Sequence, residues 1–159
     1  MSFKLPSMDP CYFCAIIEGE AEQWNIIDQN ELTVTMLNGR QFEVGQCVIL
    51  PVRHAPTLLD LTEQEAVAVM AAARRLTQVM VEAFAPDGVL LYQNNGVGSG
   101  QEVPHFHLHV VPRRPESDWG FGPPHIARLE QQKTPAQFDH AAVTSSKRQT
   151  VKHLRRHYK

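Results

Sequence analysis

Residues His105-Phe106-His107-Leu108-His109-Val110-Val111 alternate strictly between imidazole and apolar side chains up to the final pair. In an extended strand this period of two sends Phe106, Leu108 and Val110 to one face and the three imidazoles to the other. Imidazole is the side chain whose unperturbed pKa lies nearest neutrality, so it can act as nucleophile, proton shuttle or metal ligand. Two chemistries compete for the three rings. They could share a catalytic metal, but same-face residues on one strand spread over about 13 Å, too far for three bonds of about 2 Å to meet at one ion. In the other chemistry the middle ring attacks phosphorus while its neighbours orient and protonate. That suits the spread better.

A second cluster is Cys11-Tyr12-Phe13-Cys14. Its spacing fits two ligands on one metal knuckle, and equally a redox pair or plain packing. The third cysteine, Cys47, sits within the apolar run Cys47–Leu50 and reads as a small buried hydrophobe. Residues 1–6 hold no apolar h-region, which argues against a secretory signal and for a cytoplasmic protein. In that compartment a cysteine pair favours metal or redox chemistry over a structural disulfide.

Several elements must position these residues. Residues 11–18 form a short helix or turn that Gly19 ends. Residues 24–28 and 32–37 read as strands joined at Gln29-Asn30, and Cys47–Leu50, closed by Pro51, reads as a third. Thr62 and Glu65 form a capping box that opens a helix running to Phe84. Ala66, Val69, Met70, Ala73, Leu76, Met80, Ala83 and Phe84 recur along it at helical spacing. Pro86-Asp87-Gly88 stops it. Residues 89–94 and 103–113 pair as strands around the glycine-rich turn Gly96–Gly100. Residues 112–138, rich in proline and carrying Trp119 and Phe121, read as irregular, and 139–159 as a helix. Strands interrupted by one long helix imply an α+β fold with an antiparallel sheet of about five strands and a C-terminal helical extension.

The chain has 159 residues with 43% apolar and 20% charged side chains, ordinary for one globular domain, so disorder and fibrous repeats are excluded. No apolar run reaches the roughly 18 to 20 residues of a membrane span. Charge is uneven: residues 1–146 carry a net −8, and residues 147–159 carry six basic side chains and no acid. Such a tail could contact nucleic acid, but a solvated helix docked through Val151, Leu154 and Tyr158 is the favoured reading.

The run from His105 to Val111 resembles the signature of the histidine triad (HIT) superfamily of nucleotide-binding hydrolases and transferases. The resemblance extends to Cys11–Cys14, to residues 45–54 (Gly45 through Pro51 to His54), to Asn94–Gly96 and to Gly100–His105. It covers residues 10–114 and is strongest to bacterial members of the branch holding the Hint phosphoramidases and Fhit-type dinucleotide hydrolases. It implies a HIT domain over residues 1–114, extended by an irregular segment and basic helix over 115–159, and a homodimer. It implies that His107 attacks the α-phosphate of a purine nucleotide, a phosphoramidate or dinucleoside polyphosphate, to give a nucleotidyl-histidine that water or another acceptor resolves. His109 would bond the phosphate and assist the leaving group, and the backbone of His105 would hold the His107 tautomer. Gln101 and Asn94 match polar positions against the phosphate, with Gly100 beside them, although Asn94 also reads as a turn residue. Asn38 stands where many relatives place an aspartate on the ribose, and it too reads as a turn residue. Glu102 replaces a serine or threonine near the phosphate. His54 and His105 would complete Cys11 and Cys14 as four ligands of a closed, structural zinc site. The competing functional class is a non-catalytic nucleotide-binding, sensing or interaction module, with the basic tail as a route to nucleic acid.

Overall fold

Alternating side chains on the strands and a single apolar stripe on the long helix build two layers around one sheet. The computed structural model describes residues 2–21, 23–41, 43–114 and 140–158. In chain order the elements are α1 (Tyr12–Ile17), β1 (Ile26–Gln29), β2 (Thr33–Leu37), β3 (Cys47–Pro51), α2 (Glu63–Phe84), β4 (Gly88–Gln93), β5 (Leu108–Arg113) and α3 (His140–His157). Short 3-10 turns span Leu58–Asp60 and Val97–Ser99. The five strands form one antiparallel sheet in the order β1-β2-β3-β5-β4. This matches the α+β fold expected of the histidine triad signature.

Helix α2 begins where its capping box places it. Thr62 Oγ1 accepts from the Glu65 backbone N–H at 3.1 Å, and the Glu65 carboxylate accepts from the Thr62 N–H at 2.8 Å. Val69, Ala73, Leu76, Val79 and Met80 face the sheet and are buried. Met70, expected on that stripe, is exposed, because it lies one residue, about 100°, round from Val69. On the sheet, Leu37, Cys47, Ile49, Leu108 and Val110 meet this helix, joined by Phe106 from the segment before β5. The opposite sheet face carries Val34, Met36, Val48 and Leu50, covered by Phe13 and Ile16 of α1.

The C-terminal helix joins the first of these cores. Val151, Leu154 and Tyr158 are buried in it, as their spacing predicts. The Tyr158 hydroxyl lies 3.4 Å from Thr35 Oγ1, and the Arg75 guanidinium sits 4.6 Å above the Tyr158 ring. His153 Nε2 donates to the Ala83 carbonyl at 3.0 Å and Arg155 Nε to the Ile26 carbonyl at 2.9 Å. The irregular segment expected over 115–138, including Trp119 and Phe121, lies outside the described residues.

The first strand runs over Ile26–Gln29 rather than 24–28 and the fourth over Gly88–Gln93 rather than 89–94, and a larger difference lies at the last strand. The last strand begins at Leu108 rather than at residue 103. Pro104 has no N–H to give a ladder, and the chain around it turns, with the His105 N–H bonded to the Val103 carbonyl at 2.8 Å. The Phe106 N–H is taken by the Ala55 carbonyl instead of a neighbouring strand. His105 and His107 therefore stand on a lead-in outside the sheet ladder, and only His109 of the three lies within β5.

Candidate active site

His105 is fully buried, and its ring is held at both ends. Nε2 lies 2.9 Å from the Pro51 carbonyl, so Nε2 carries the proton and donates it. That leaves the Nδ1 lone pair facing the thiols, 3.6 Å from Cys14 Sγ and 3.8 Å from Cys11 Sγ. The His54 Nδ1 lies 3.1 Å from Cys14 Sγ. One ligand atom from each of Cys11, Cys14, His54 and His105 falls within 4.8 Å of all the others. Ligands bonded to zinc at about 2.0 Å through nitrogen and 2.3 Å through sulfur stand about 3.5 Å apart in a tetrahedron, so the cluster has nearly that size already.

Its electrostatics fit a cation as well. Burial, then Cys11 and Glu18, push the Cys14 thiol up to about 12, since nothing nearby offsets a second negative charge. A bound cation supplies that offset and makes thiolates the stable form. Burial above all lowers His105 to about 4, which keeps its ring neutral, the form that ligates. The sequence places these groups through three local structures. Cys11 immediately precedes α1 and Cys14 lies in its first turn. His54 follows β3, where Arg53 is clamped by Glu65 of α2 through bonds of 2.9 and 2.7 Å and by the Asp60 carbonyl at 2.7 Å. The Arg53 partnership is the main reason the Glu65 carboxyl falls to about 2.

The carbonyl oxygen of His105 reaches the next ring. His107 Nδ1 lies 2.7 Å from it, a contact that only a protonated Nδ1 can make. The free lone pair of His107 is then on Nε2. Burial lowers the His107 pKa against the opposing influence of the His105 carbonyl and Glu102, so the neutral ring is favoured. Phe13 packs against it with centroids 5.1 Å apart, and His109 meets it edge to face at 4.9 Å. His109 is stacked on Tyr92, centroids 4.3 Å apart and planes 11° apart, and its Nδ1 lies 3.2 Å from Gln46 Nε2. Burial and then His107 lower His109 to about 3.

The remaining polar residues are distributed differently. Gln101 is buried, and its amide is spent on the backbone: Oε1 accepts from the Gly96 N–H at 2.6 Å, and Nε2 donates to the Pro56 and Val103 carbonyls at 2.7 and 2.9 Å. It fixes the glycine-rich loop to the segment that leads into His105. Asn94 reaches the Gly100 carbonyl at 3.5 Å, and Gly100 closes the 3-10 turn in the left-handed region at φ +84°. Asn38 Nδ2 donates to the Arg40 carbonyl at 2.7 Å, the behaviour of a turn residue. Glu102 is turned to Arg40, with Oε2 3.2 Å from Nη1.

Four residues at the site carried no chemical signal that the sequence reading used: Gln46, Tyr92, Phe13 and Arg40. Gln46 was the most findable. It is the one polar side chain between Gly45 and the apolar run Cys47–Leu50.

The HIT domain family model matches residues 19–116 of this chain. The chain belongs to the HIT family. This HIT protein is 30% identical over 112 residues to the protein Hit of Bacillus subtilis, an alignment covering 70% of this chain and 76% of that one. It is 27% identical over 124 residues to the bis(5'-adenosyl)-triphosphatase of Dictyostelium discoideum, covering 78% and 83%. Among solved structures it superposes on a zinc-bound histidine triad family protein of Mycobacterium smegmatis with a TM-score of 0.73 and 26% identity, covering 94% of this chain and 93% of that one. Cys11 and Cys14 precede the residues that the family model matches. No helix among the described residues is long and apolar enough to cross a membrane.

Proposed function

We propose that this HIT protein is a nucleotide hydrolase or nucleotidyl transferase that acts at the α-phosphate of purine nucleoside phosphoramidates or dinucleoside polyphosphates. The observation that carries the reading is the 2.7 Å contact between His107 Nδ1 and the His105 carbonyl, which leaves the lone pair on Nε2 of a ring whose neutral form is favoured. His107 Nε2 attacks phosphorus, the bond from phosphorus to the leaving atom breaks, and a nucleotidyl-histidine forms. Water or another acceptor then attacks the same phosphorus and His107 is released. Splitting one hard transfer into two easier ones is the benefit of the covalent route. His109, next to His107, donates a hydrogen bond to the phosphate and so assists departure of the leaving group. The Dictyostelium discoideum relative, a bis(5'-adenosyl)-triphosphatase, supports a substrate with an adenosine phosphoanhydride.

Cys11, Cys14, His54 and His105 are the residues that would hold a zinc ion, with the fit in size and charge described above. With four protein ligands a bound ion would have no open position, so it would cross-link the N-terminal segment to the catalytic segment rather than supply chemistry on the substrate. The protein acts in the cytoplasm as a homodimer. In support of the dimer, β4 is an edge strand of the sheet, and Leu91 on it and Val67 and Met70 on α2 are exposed. The basic tail is read as a docking helix rather than a nucleic-acid arm, because Lys147 bonds the Gly39 carbonyl, Arg148 lies over Trp24, and Arg155 bonds the Ile26 carbonyl.

The test is turnover of a fluorogenic adenosine phosphoramidate and of a diadenosine polyphosphate by wild type and His107→Ala. Activity that falls by roughly 10⁴-fold or more in the variant supports the covalent reading. A wild-type protein that turns over neither substrate removes it.

A further inference from the structure

A neutral imidazole has one N–H, and which nitrogen carries it decides what the ring can do. His109 sits in surroundings that keep it neutral, with burial and the neighbouring His107 both working against a charge. Its Nδ1 does not face water. It meets the side-chain amide nitrogen of Gln46 at 3.2 Å, and Gln46 is fully buried. An amide NH2 group donates and cannot accept, so the ring nitrogen it touches must offer a lone pair. The same Gln46 nitrogen lies 3.4 Å from the Tyr92 hydroxyl oxygen, a second acceptor for its second hydrogen.

The backbone makes this arrangement a consequence of register. Val48 and Tyr92 are the cross-strand partners of His109 on either side. Gln46, two residues before Val48, shares its sheet face by period two. Gly45, at φ +98°, allows the turn just ahead of it, and a Cβ there would lie 2.5 Å from the Phe84 ring. The Gln46 backbone is fixed at both polar groups, its N–H to the Glu43 carbonyl at 3.0 Å and its carbonyl to the Asn38 N–H at 2.9 Å. Tyr92 stacked on the imidazole then prevents the ring from turning over.

We propose that Gln46 is the positioning residue that sets the tautomer of His109, holding its single proton on Nε2. The consequence for catalysis rests on the function proposed above. As the bond between phosphorus and the leaving atom breaks, the electron pair stays with the leaving atom, which takes its proton from water. The Nε2 N–H donates a hydrogen bond to the oxygen on which charge develops, so that His109 stays neutral with its Nδ1 lone pair paired to Gln46. No charge need be built up on His109 at any stage. His107 and His109 thus hold opposite tautomers: the backbone of His105 puts the proton of His107 on Nδ1, and Gln46 puts that of His109 on Nε2.

The experiment is two-bond 1H–15N correlation of histidine rings in the full chain labelled with 15N-histidine. His109 is assigned by the pattern lost in His109→Gln. In wild type its Nδ1 should show the shift of an unprotonated ring nitrogen and its Nε2 that of a protonated one. Gln46→Glu replaces the donor by an acceptor and should move the proton to Nδ1, while Gln46→Met should leave a mixture. With either phosphoramidate or polyphosphate substrate, kcat of Gln46→Glu should fall about 10²-fold with KM little changed. A wild-type His109 protonated on Nδ1 overturns the proposal, since it means the amide presents its oxygen instead. A tautomer unchanged in Gln46→Glu overturns it too, and should both variants fail to fold, the wild-type spectrum alone decides. Loss of the functional reading is seen separately, as absent turnover in wild type whatever the spectrum shows.

Discussion

The carbonyl oxygen of His105 lies 2.7 Å from Nδ1 of His107, while the ring of His105 turns its own Nδ1 to the thiols of Cys11 and Cys14. One residue thus belongs to the four-ligand cluster through its side chain and to the nucleophile through its backbone. Protein purified without chelator should carry about one zinc per chain, and Cys14→Ser should lose most of it. The melting temperature of that variant should fall, because a site absent from the unfolded chain contributes its binding energy to folding. Elemental analysis and thermal melts check this. A metal-free wild type with the same melting temperature as the variant would sink the metal assignment.

The Arg40–Glu102 pair faces the same region with charge. Glu102 is close enough to influence His107, and an exposed carboxylate there repels an incoming phosphate unless Arg40 offsets it. Removing Arg40 should therefore hurt more than removing Glu102. Arg40→Gln should raise KM for a nucleotide substrate about fivefold, the effect of roughly 1 kcal/mol of unscreened repulsion, and adding Glu102→Gln should reverse it. Both changes should shrink in high salt. Equal KM for the single and double variants in low salt would show that the pair does not face the substrate. Stability should hardly move, since exposed ion pairs contribute little.

Acid should weaken the fold in two separable windows. His109 is held at about 3 in the folded state against an ordinary 6.5, so between these values the unfolded chain binds a proton the folded one refuses. Stability falls as pH drops from about 6.5 towards 3. Glu65 is held at about 2 against 4.5, which gives stability present above 4.5 and lost as pH falls towards 2. Glu65→Gln should lower stability at neutral pH by about 2 kcal/mol, through the lost charged bonds to Arg53, and flatten only the lower window. Denaturant titrations from pH 7 to pH 3 check it, and an unchanged slope below pH 4.5 in Glu65→Gln counts against the Glu65 assignment.

Much of this site is legible in the sequence where a local rule suffices. The alternation around His107 and the Thr62–Glu65 box each specify geometry within a few residues, and the structure has both. The His105–His107 backbone contact follows from adjacency. Gln46 is different, because its meaning depends on β3 lying beside β5 in one particular register, which no short window contains. Tyr92 is likewise a plain strand tyrosine until β4 pairs with β5. Gln101 shows the opposite limit: the family resemblance implies a phosphate contact for it, yet here the backbone of Gly96, Pro56 and Val103 takes its amide bonds. A strand expected from residue 103 starts five residues later because Pro104 and the Ala55 carbonyl redirect the backbone.

The C-terminal helix offers the last prediction, on whether a basic segment is a tail or part of the core. Leu154 is fully buried among residues of α2 and the sheet, whereas Lys152 and Arg156 on the same helix are exposed. Leu154→Ala should cost about 2–5 kcal/mol, the cost of a lost leucine side chain plus the cavity it leaves. Lys152→Ala and Arg156→Ala should each stay within about 0.5 kcal/mol of wild type. Tyr158→Phe should fall between, about 1 kcal/mol, for the loss of the hydroxyl contact to Thr35. Urea unfolding of the four variants ranks them directly. If Leu154→Ala is no worse than the two surface substitutions, α3 is not packed on the body. The six basic residues would then regain their reading as a free polycation, and salt-dependent binding to nucleic acid becomes the property to measure.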